Sequence, residues 1–243
     1  MTASDPHLLQ PPEVACLSET GLVRSHNEDA YAARPELGLW VVADGMGGVA
    51  GGEVASAIAV ETIVDEVRRG AALTEALNGA HRAILDAAAA GQGSPGMGTT
   101  AVALRLDRHR YELAWVGDSR AYSLDQGQRL RPLTRDHSVV QSLVDQGLLS
   151  PEQAGSHPDR HQLTRALGGF ATPAIDADHV SGDWSRGDWL LLCTDGLNGE
   201  LSDVEIGGLI QAANAPEPAA QALVAAALER GGHDNLTLIL LRR

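Results

Sequence analysis

The stretch LWVVADGMGG, residues 39–48, continues into VAGGEVASAIAVETIVDEVRR, residues 49–69, and its reading sets the fold. Leu39–Ala43 is a short apolar run closed by Asp44 and Gly45, the pattern of a buried strand ending in a turn. Past Gly52 the apolar residues recur at helical spacing, and Glu53 near the start suits the positive end of a helix dipole. The unit is therefore a strand, a glycine-rich turn carrying a carboxylate, and a helix.

Similar junctions recur. Asp118 stands in LAWVGDSR, Asp195 in WLLLCTDGL, and Asp234 opens the run in GGHDNLTLILL. One Asp beside Gly is a turn and nothing more. Four at the ends of apolar runs point to carboxylates gathered in one place. Like charges at close range raise one another's pKa, and divalent cations resolve the conflict. All-oxygen ligands favour hard ions such as Mg²⁺ or Mn²⁺.

Outward from these units, residues 13–20 predict a first strand and GLVRSHNEDAY a turn feeding a second. Residues 53–69 and 73–90 predict two helices. GTTAVALRLD and RYELAWVGDSRAYSL predict strands joined at DRH. SVVQSLVDQGLL predicts a short amphipathic helix, and SPEQA another with Pro at its first position. GDWLLLCTDGL is a strand and turn, helices follow at about 202–213 and 216–230, and NLTLILLRR closes the chain as a strand. Runs of strands separated by helix pairs predict an α+β fold of antiparallel sheets covered by helices, not a βαβ parallel sheet. No repeat or composition break divides the chain, so one domain is expected over 13–243, after a Pro-rich lead-in at 1–12.

The 243 residues carry a net charge of −14, which argues against a nucleic-acid partner. Aromatics are only 3% against 44% hydrophobic residues, so Ala, Leu and Val must build the core. The two cysteines, Cys16 and Cys193, form no CxxC pair, and Cys193 reads as a small core residue. MTASDPHLLQPPE lacks the basic start and apolar centre of a signal peptide, and no apolar run reaches the ~18 residues of a membrane span. These features predict a cytoplasmic protein with no membrane partner.

Arg24-Ser25-His26-Asn27-Glu28-Asp29 packs a cation and two acids into one turn. A solvated turn explains it alone; beside a metal, Arg24 offers a planar fork for phosphate oxygens, and Glu28 and Asp29 could order water. Gly45 lets its carbonyl approach a metal closely. The glycines lack a GKS/T sequel, so no P-loop is expected. Ser119 lacks a GxSxG elbow and precedes a strand, which argues against a serine hydrolase. His137 and His233 read as turn or packing residues.

Taken in order, RSHNED, DGMGG, GE, GTT, VGDSR, DHS, TDGL and GGHDNLT resemble the metal-dependent protein phosphatases of type 2C, in their compact bacterial form. The resemblance covers about residues 13–241. It implies a four-layer α-β-β-α sandwich and a serine/threonine phosphatase in which a metal-activated water attacks phosphorus in line, without a covalent intermediate. It implies two Mn²⁺ or Mg²⁺ ions, with Asp44 bridging them, the Gly45 carbonyl on one, and Asp195 and Asp234 completing the pair. Asp118 with Asp195 would hold a third, weaker ion; Arg24 would bind the phosphate; Glu28 and Asp29 would hold waters around the metals. Residues 139–168 would form a flap tied to substrate choice. Some family members have His after the Asp-Gly of DGMGG as proton donor; Met46 stands there instead, which moves that role to a water or to the substrate's surroundings. The implied partners are phosphorylated Ser/Thr proteins, a cognate kinase and an FHA-domain protein, with the phosphatase a monomer. A phosphoprotein-binding pseudophosphatase and a small-molecule metal phosphohydrolase are the competing readings.

Overall fold

The computed structural model describes residues 11–47, 51–125, 129–155, 157–170 and 172–243. Residues 1–10 of the predicted lead-in, and 48–50 of the glycine-rich turn, lie outside the described residues. The chain opens with strands β1 (Glu13–Glu19), β2 (Asp29–Arg34) and β3 (Leu39–Met46), then helices α1 (Gly51–Arg68) and α2 (Leu73–Ala89). Strands β4 (Gly98–Thr99), β5 (Ala101–Asp107), β6 (Arg110–Val116), β7 (Arg120–Leu124) and β8 (Leu130–Pro132) follow. Short helices α3 (Val139–Asp145) and α4 (Pro151–Ala154) precede β9 (Asp178–Asp183) and β10 (Trp189–Cys193). The chain closes with α5 (Asp195–Asn198), α6 (Asp203–Ala212), α7 (Pro216–Glu229) and β11 (Leu236–Arg242).

The strands make two antiparallel sheets. One runs β1-β11-β10-β7-β8, the other β2-β3-β5-β6-β9, with β4 added on β3. Side chains alternate across each strand, so both faces need apolar cover. Leu39, Val41 and Ala43 of β3 pack with Ile63 of α1 and Leu77 of α2. Trp40 and Val42 turn the other way and meet Leu190 and Leu192 of β10 and Ile239 of β11. On the far side Leu191, Cys193, Leu238 and Leu240 pack under Ile206 of α6 and Leu223 of α7. Three apolar layers between four structural layers make the α-β-β-α sandwich that the resemblance implied. Each fully buried Leu, Val or Ile contributes about 1.5–3 kcal/mol, so these layers hold the sheets' ends in fixed relation.

The strand and helix pairs anticipated from periodicity are present, most boundaries moved by a residue or two; α3 stops at Asp145 where a helix through Leu149 was expected, and the strand expected over 98–107 is broken at Thr100. Two strands were not anticipated, β8 and β9. β9 reads DHVSGD and is exposed at every other position; as an edge strand it is held by its ladder to β6, not by an apolar face of its own. The TDGL turn is the start of a single helical turn, α5, with Thr194 at its N-cap position. Asp44 is not past the end of its strand, since β3 continues to Met46 and pairs Gly45 with Thr99.

Candidate metal centre

Antiparallel pairing explains why distant aspartates meet. In the β2–β3 ladder Asp29 is the partner of Asp44, so the two side chains share a face. That face is the inter-sheet one, because Asp44 has the parity of Trp40 and Val42. β6 ends at Val116 opposite the start of β5, and β10 ends at Cys193 opposite both Arg120 of β7 and Leu238 of β11. Asp118, Asp195 and Asp234 therefore leave their sheets at the same end of the sandwich as Asp44. There a cleft of 1150 Å³ opens, with Arg24, Asp118, Asp195 and Asp234 in its wall.

Hydrogen bonds fix this end of the molecule. The Asp44 amide donates to Thr100 Oγ1 at 3.0 Å, and its carbonyl accepts from Thr99 Oγ1 at 2.8 Å and Thr100 N at 2.9 Å. Asp29 Oδ2 accepts from Thr194 Oγ1 at 2.8 Å. Asn235 Oδ1 accepts from Glu28 N at 2.8 Å, while its Nδ2 donates to the carbonyls of Thr20 and His26. Asn235 thus staples the Arg24–Asp29 loop to β11. Gly45 is demanded by packing: a Cβ would lie 2.1 Å from the Gly52 carbonyl at the start of α1 and 2.5 Å from the Glu28 carbonyl. The Glu28 carboxylate itself lies against Gly52.

The electrostatics call for a cation. Burial, then Asp195, Asp29, Asp118 and Asp234, raise the Asp44 pKa well above the ordinary carboxylate range. Asp118 is pushed to about 8 by burial and then Asp195. Asp29 is pushed to about 7, chiefly by burial, against the hydrogen bonds it accepts. Asp195 Oδ1 and Asp29 Oδ1 are buried with no hydrogen-bond partner, an arrangement costly for a carboxylate left alone. Arg24 Nη2 lies 2.7 Å from Asp234 Oδ2 and answers one charge; that bond raises the Arg24 pKa. His161, from residues 139–168, reaches to 3.7 Å from Asp195 Oδ2, and this partner raises its pKa.

The residues present fit hard divalent ions. The donors are carboxylate oxygens and a carbonyl, two of the buried oxygens lack partners, and the acids repel one another. Among the described residues no three of His, Cys, Asp and Glu close into a ready-made cage. Ions that keep several waters and take one or two carboxylates do not require one.

The anticipated residues Arg24, Glu28, Asp29, Asp44, Gly45, Asp118, Asp195 and Asp234 all lie at this end of the sandwich. Thr99, Thr100, Thr194 and Asn235 were missed as site residues. They stand inside the motifs GTT, TDGL and GGHDNLT as hydroxyls and an amide whose role in orienting the acids shows only in the folded chain. Met46 ends β3 paired with Gly98. His233 Nδ1 bonds Glu200 Oε1 at 2.7 Å and His137 is buried, in keeping with packing and turn roles. Cys193 is buried, and its thiol is pushed up to about 12, chiefly by that burial, which leaves it inert.

Fold and cleft together define a four-layer sandwich protein with an oxygen-ligand cleft at one end of its sheets. Residues 23–230 match the family model described as protein phosphatase 2C, and the chain belongs to that family. It is 40% identical over 234 residues to the serine/threonine protein phosphatase PstP of Mycobacterium tuberculosis, covering 93% of this chain but 44% of that protein. It is 34% identical to the serine/threonine phosphatase stp of Listeria welshimeri, covering 93% of this chain and 94% of that one. Its structure matches that of the catalytic domain of PstP in complex with two manganese ions, with a TM-score of 0.82 at 35% identity, over 95% of this chain and 97% of that one. No helix among the described residues is long and apolar enough to cross a membrane.

Proposed function

We propose that this protein is a metal-dependent phosphatase of phosphoserine and phosphothreonine in proteins. The observation that carries the reading is the gathering of Asp118, Asp195 and Asp234 in one cleft beside Arg24, with the buried Asp44 of β3 close enough to feel the charges of all three. Asp44 would bridge two Mn²⁺ or Mg²⁺ ions, with the Gly45 carbonyl, Asp195 and Asp234 completing the pair. Asp118 with Asp195 would hold a weaker third ion. When bound, the ions supply a nucleophilic water at neutral pH and offset charge on the phosphoryl oxygens.

The chain's own groups do the rest. Arg24 stands at the cleft with a fork that matches two phosphoryl oxygens, and it exchanges Asp234 for substrate. Asp29, held by Thr194, and Glu28, beside the start of α1, order the surrounding water. The described residues of 139–168, Val140 and His161 among them, line the cleft's outer side, and this segment would read the peptide around the phosphorylated residue. Attack by water leaves no covalent phosphoenzyme, so Cys193 takes no part. A phosphatase of this kind opposes a Ser/Thr kinase; with that kinase and an FHA-domain protein as partners, the enzyme would act as a cytoplasmic monomer.

The test compares a phosphothreonine peptide, its unphosphorylated form and a nucleotide monophosphate, with and without EDTA and Mn²⁺. Mn²⁺-dependent release of phosphate from the peptide above the nucleotide is expected. Preference for the nucleotide would make it a small-molecule phosphohydrolase, and tight peptide binding without turnover a pseudophosphatase.

A further inference from the structure

The function just proposed leaves His137 without a task. We propose that His137 is a positioning residue for Asp118, fixing the turn that presents this carboxylate to the weaker third ion. The inference rests on the assignment of Asp118 to that ion.

His137 and Gly117 are joined twice. The His137 amide donates to the Gly117 carbonyl at 2.9 Å, and the Gly117 amide donates to His137 Nδ1 at 3.1 Å. The second bond belongs to the side chain, and it holds the residue immediately before Asp118. The ring itself has little freedom: it is 7% exposed and stacks on Trp115, centroids 6.3 Å apart and planes 15° apart. The Trp115 indole is fixed in turn by its bond to the Arg135 carbonyl at 2.9 Å.

The turn has one seat. Gly117 has φ of +106°, and a Cβ there would lie 2.5 Å from Thr100 Cγ2. On the other side of Asp118, Ser119 Oγ lies 2.7 Å from Thr100 Oγ1. Thr100 Oγ1 also accepts from the Asp44 amide, so one hydroxyl joins the Asp118 turn to the Asp44 backbone. Thr100 thus anchors the turn from one side and His137 from the other, with Asp118 between. Because Nδ1 accepts, the neutral imidazole carries its proton on Nε2. Nε2–H faces Asp178 Oδ2 at 3.5 Å, while Arg165 Nη1, itself a donor, lies 3.2 Å from that nitrogen as a contact and not as a hydrogen bond in this tautomer. Arg165 gives its own bond to Asp178 Oδ1 at 2.9 Å.

A histidine that merely fills space would change stability and leave relative metal affinities alone. A positioning histidine changes the weak site selectively. The experiment is calorimetric titration of Mn²⁺ into the metal-free full chain. His137→Leu should weaken the weakest Mn²⁺ site by about tenfold, in the range for groups that orient ligands, and leave the tighter ions unaffected. His137→Asn, whose side-chain oxygen can accept from the Gly117 amide, should recover most of that loss. Wild-type affinity in the leucine variant, or equal impairment of both variants, would overturn the role of His137. Asp118→Asn is titrated alongside. Loss of the weak site there, with none in His137→Leu, sinks the positioning role and keeps the site; wild-type binding in Asp118→Asn overturns the site and the inference with it. Should the leucine variant fail to fold, the wild-type chain carries the test by NMR. The Gly117 amide and His137 Nδ1 resonances should move together as Mg²⁺ fills its weakest site, and resonances that stay still contradict the inference.

Discussion

The floor of the cleft and its outer wall, drawn from the described residues of 139–168, are built differently. On the floor Asp44 lies inside an eight-residue strand, bonded to Thr99 and Thr100 through both its amide and its carbonyl. Asp118, Asp195 and Asp234 each stand within two residues of a strand buried between apolar layers. The wall carries two helices of seven and four residues, and Val140 is the sole buried helical residue they contribute. Two isolated bridges, Ser138 with Leu163 and Thr99 with Leu167, tie this segment down. Elements with few buried contacts open at low free energy, whereas strands buried on both faces open only with the whole fold. The proposed chemistry would thus sit on the more firmly held elements, and the proposed contact with the substrate chain on the less firmly held ones.

That difference is broken most severely at the floor. Asp44→Ala should reduce turnover of p-nitrophenyl phosphate to background; near-normal turnover would show that Asp44 bridges nothing. Asp118→Ala should lower turnover by about 10–100-fold, as loss of an outer ligand does, and shift the Mn²⁺ requirement upward. An unchanged Mn²⁺ dependence would remove Asp118 from the centre. The wall should respond far less. Ser138 caps α3 by accepting from the Gln141 amide at 3.2 Å, and Ser138→Ala should cost about 1 kcal/mol of local order. The expected result is a KM raised a few-fold for a phosphopeptide, with p-nitrophenyl phosphate turnover unchanged. Equal loss on both substrates would mean that wall and floor are one rigid unit.

A pH experiment sharpens the same contrast in metal-free protein. Asp118 is held up to about 8 and Asp29 to about 7 in the folded chain, against about 3.9 when unfolded. Between about 4 and 8 the folded state therefore binds more protons than the unfolded one, so these groups lose stabilising effect as pH rises. Thermal melting of EDTA-treated protein should fall in Tm from about pH 5 to 8, and Mn²⁺ should restore most at the upper end. A Tm that climbs with pH and ignores Mn²⁺ would contradict the clustering of these acids.

The floor was far more legible in the sequence than the wall or the sheet edges. Leu39–Ala43, Trp189–Cys193 and Leu236–Leu241 are apolar runs whose burial on both faces writes itself into composition. Their Asp-bearing ends could be read as site residues once four of them were seen together. β9 could not be read this way, because Asp178–Asp183 is a polar edge strand whose conformation comes from pairing with β6. Thr194 and Asn235 were hidden for another reason. Their work is to orient Asp29 and the Glu28 amide across 165 and 207 residues of chain, and only tertiary pairing brings such partners together. His137 sat in a visible motif, yet its acceptor bond to Gly117 depends on the same folding of two distant turns.

The claim that strand ends from both sheets make one metal centre is tested most directly by counting ions. Mn²⁺ titrated calorimetrically into metal-free wild-type chain and into Asp44→Ala should show two tight ions in the first and neither in the second. Two tight ions retained by Asp44→Ala, with its fold intact by circular dichroism, would contradict the account.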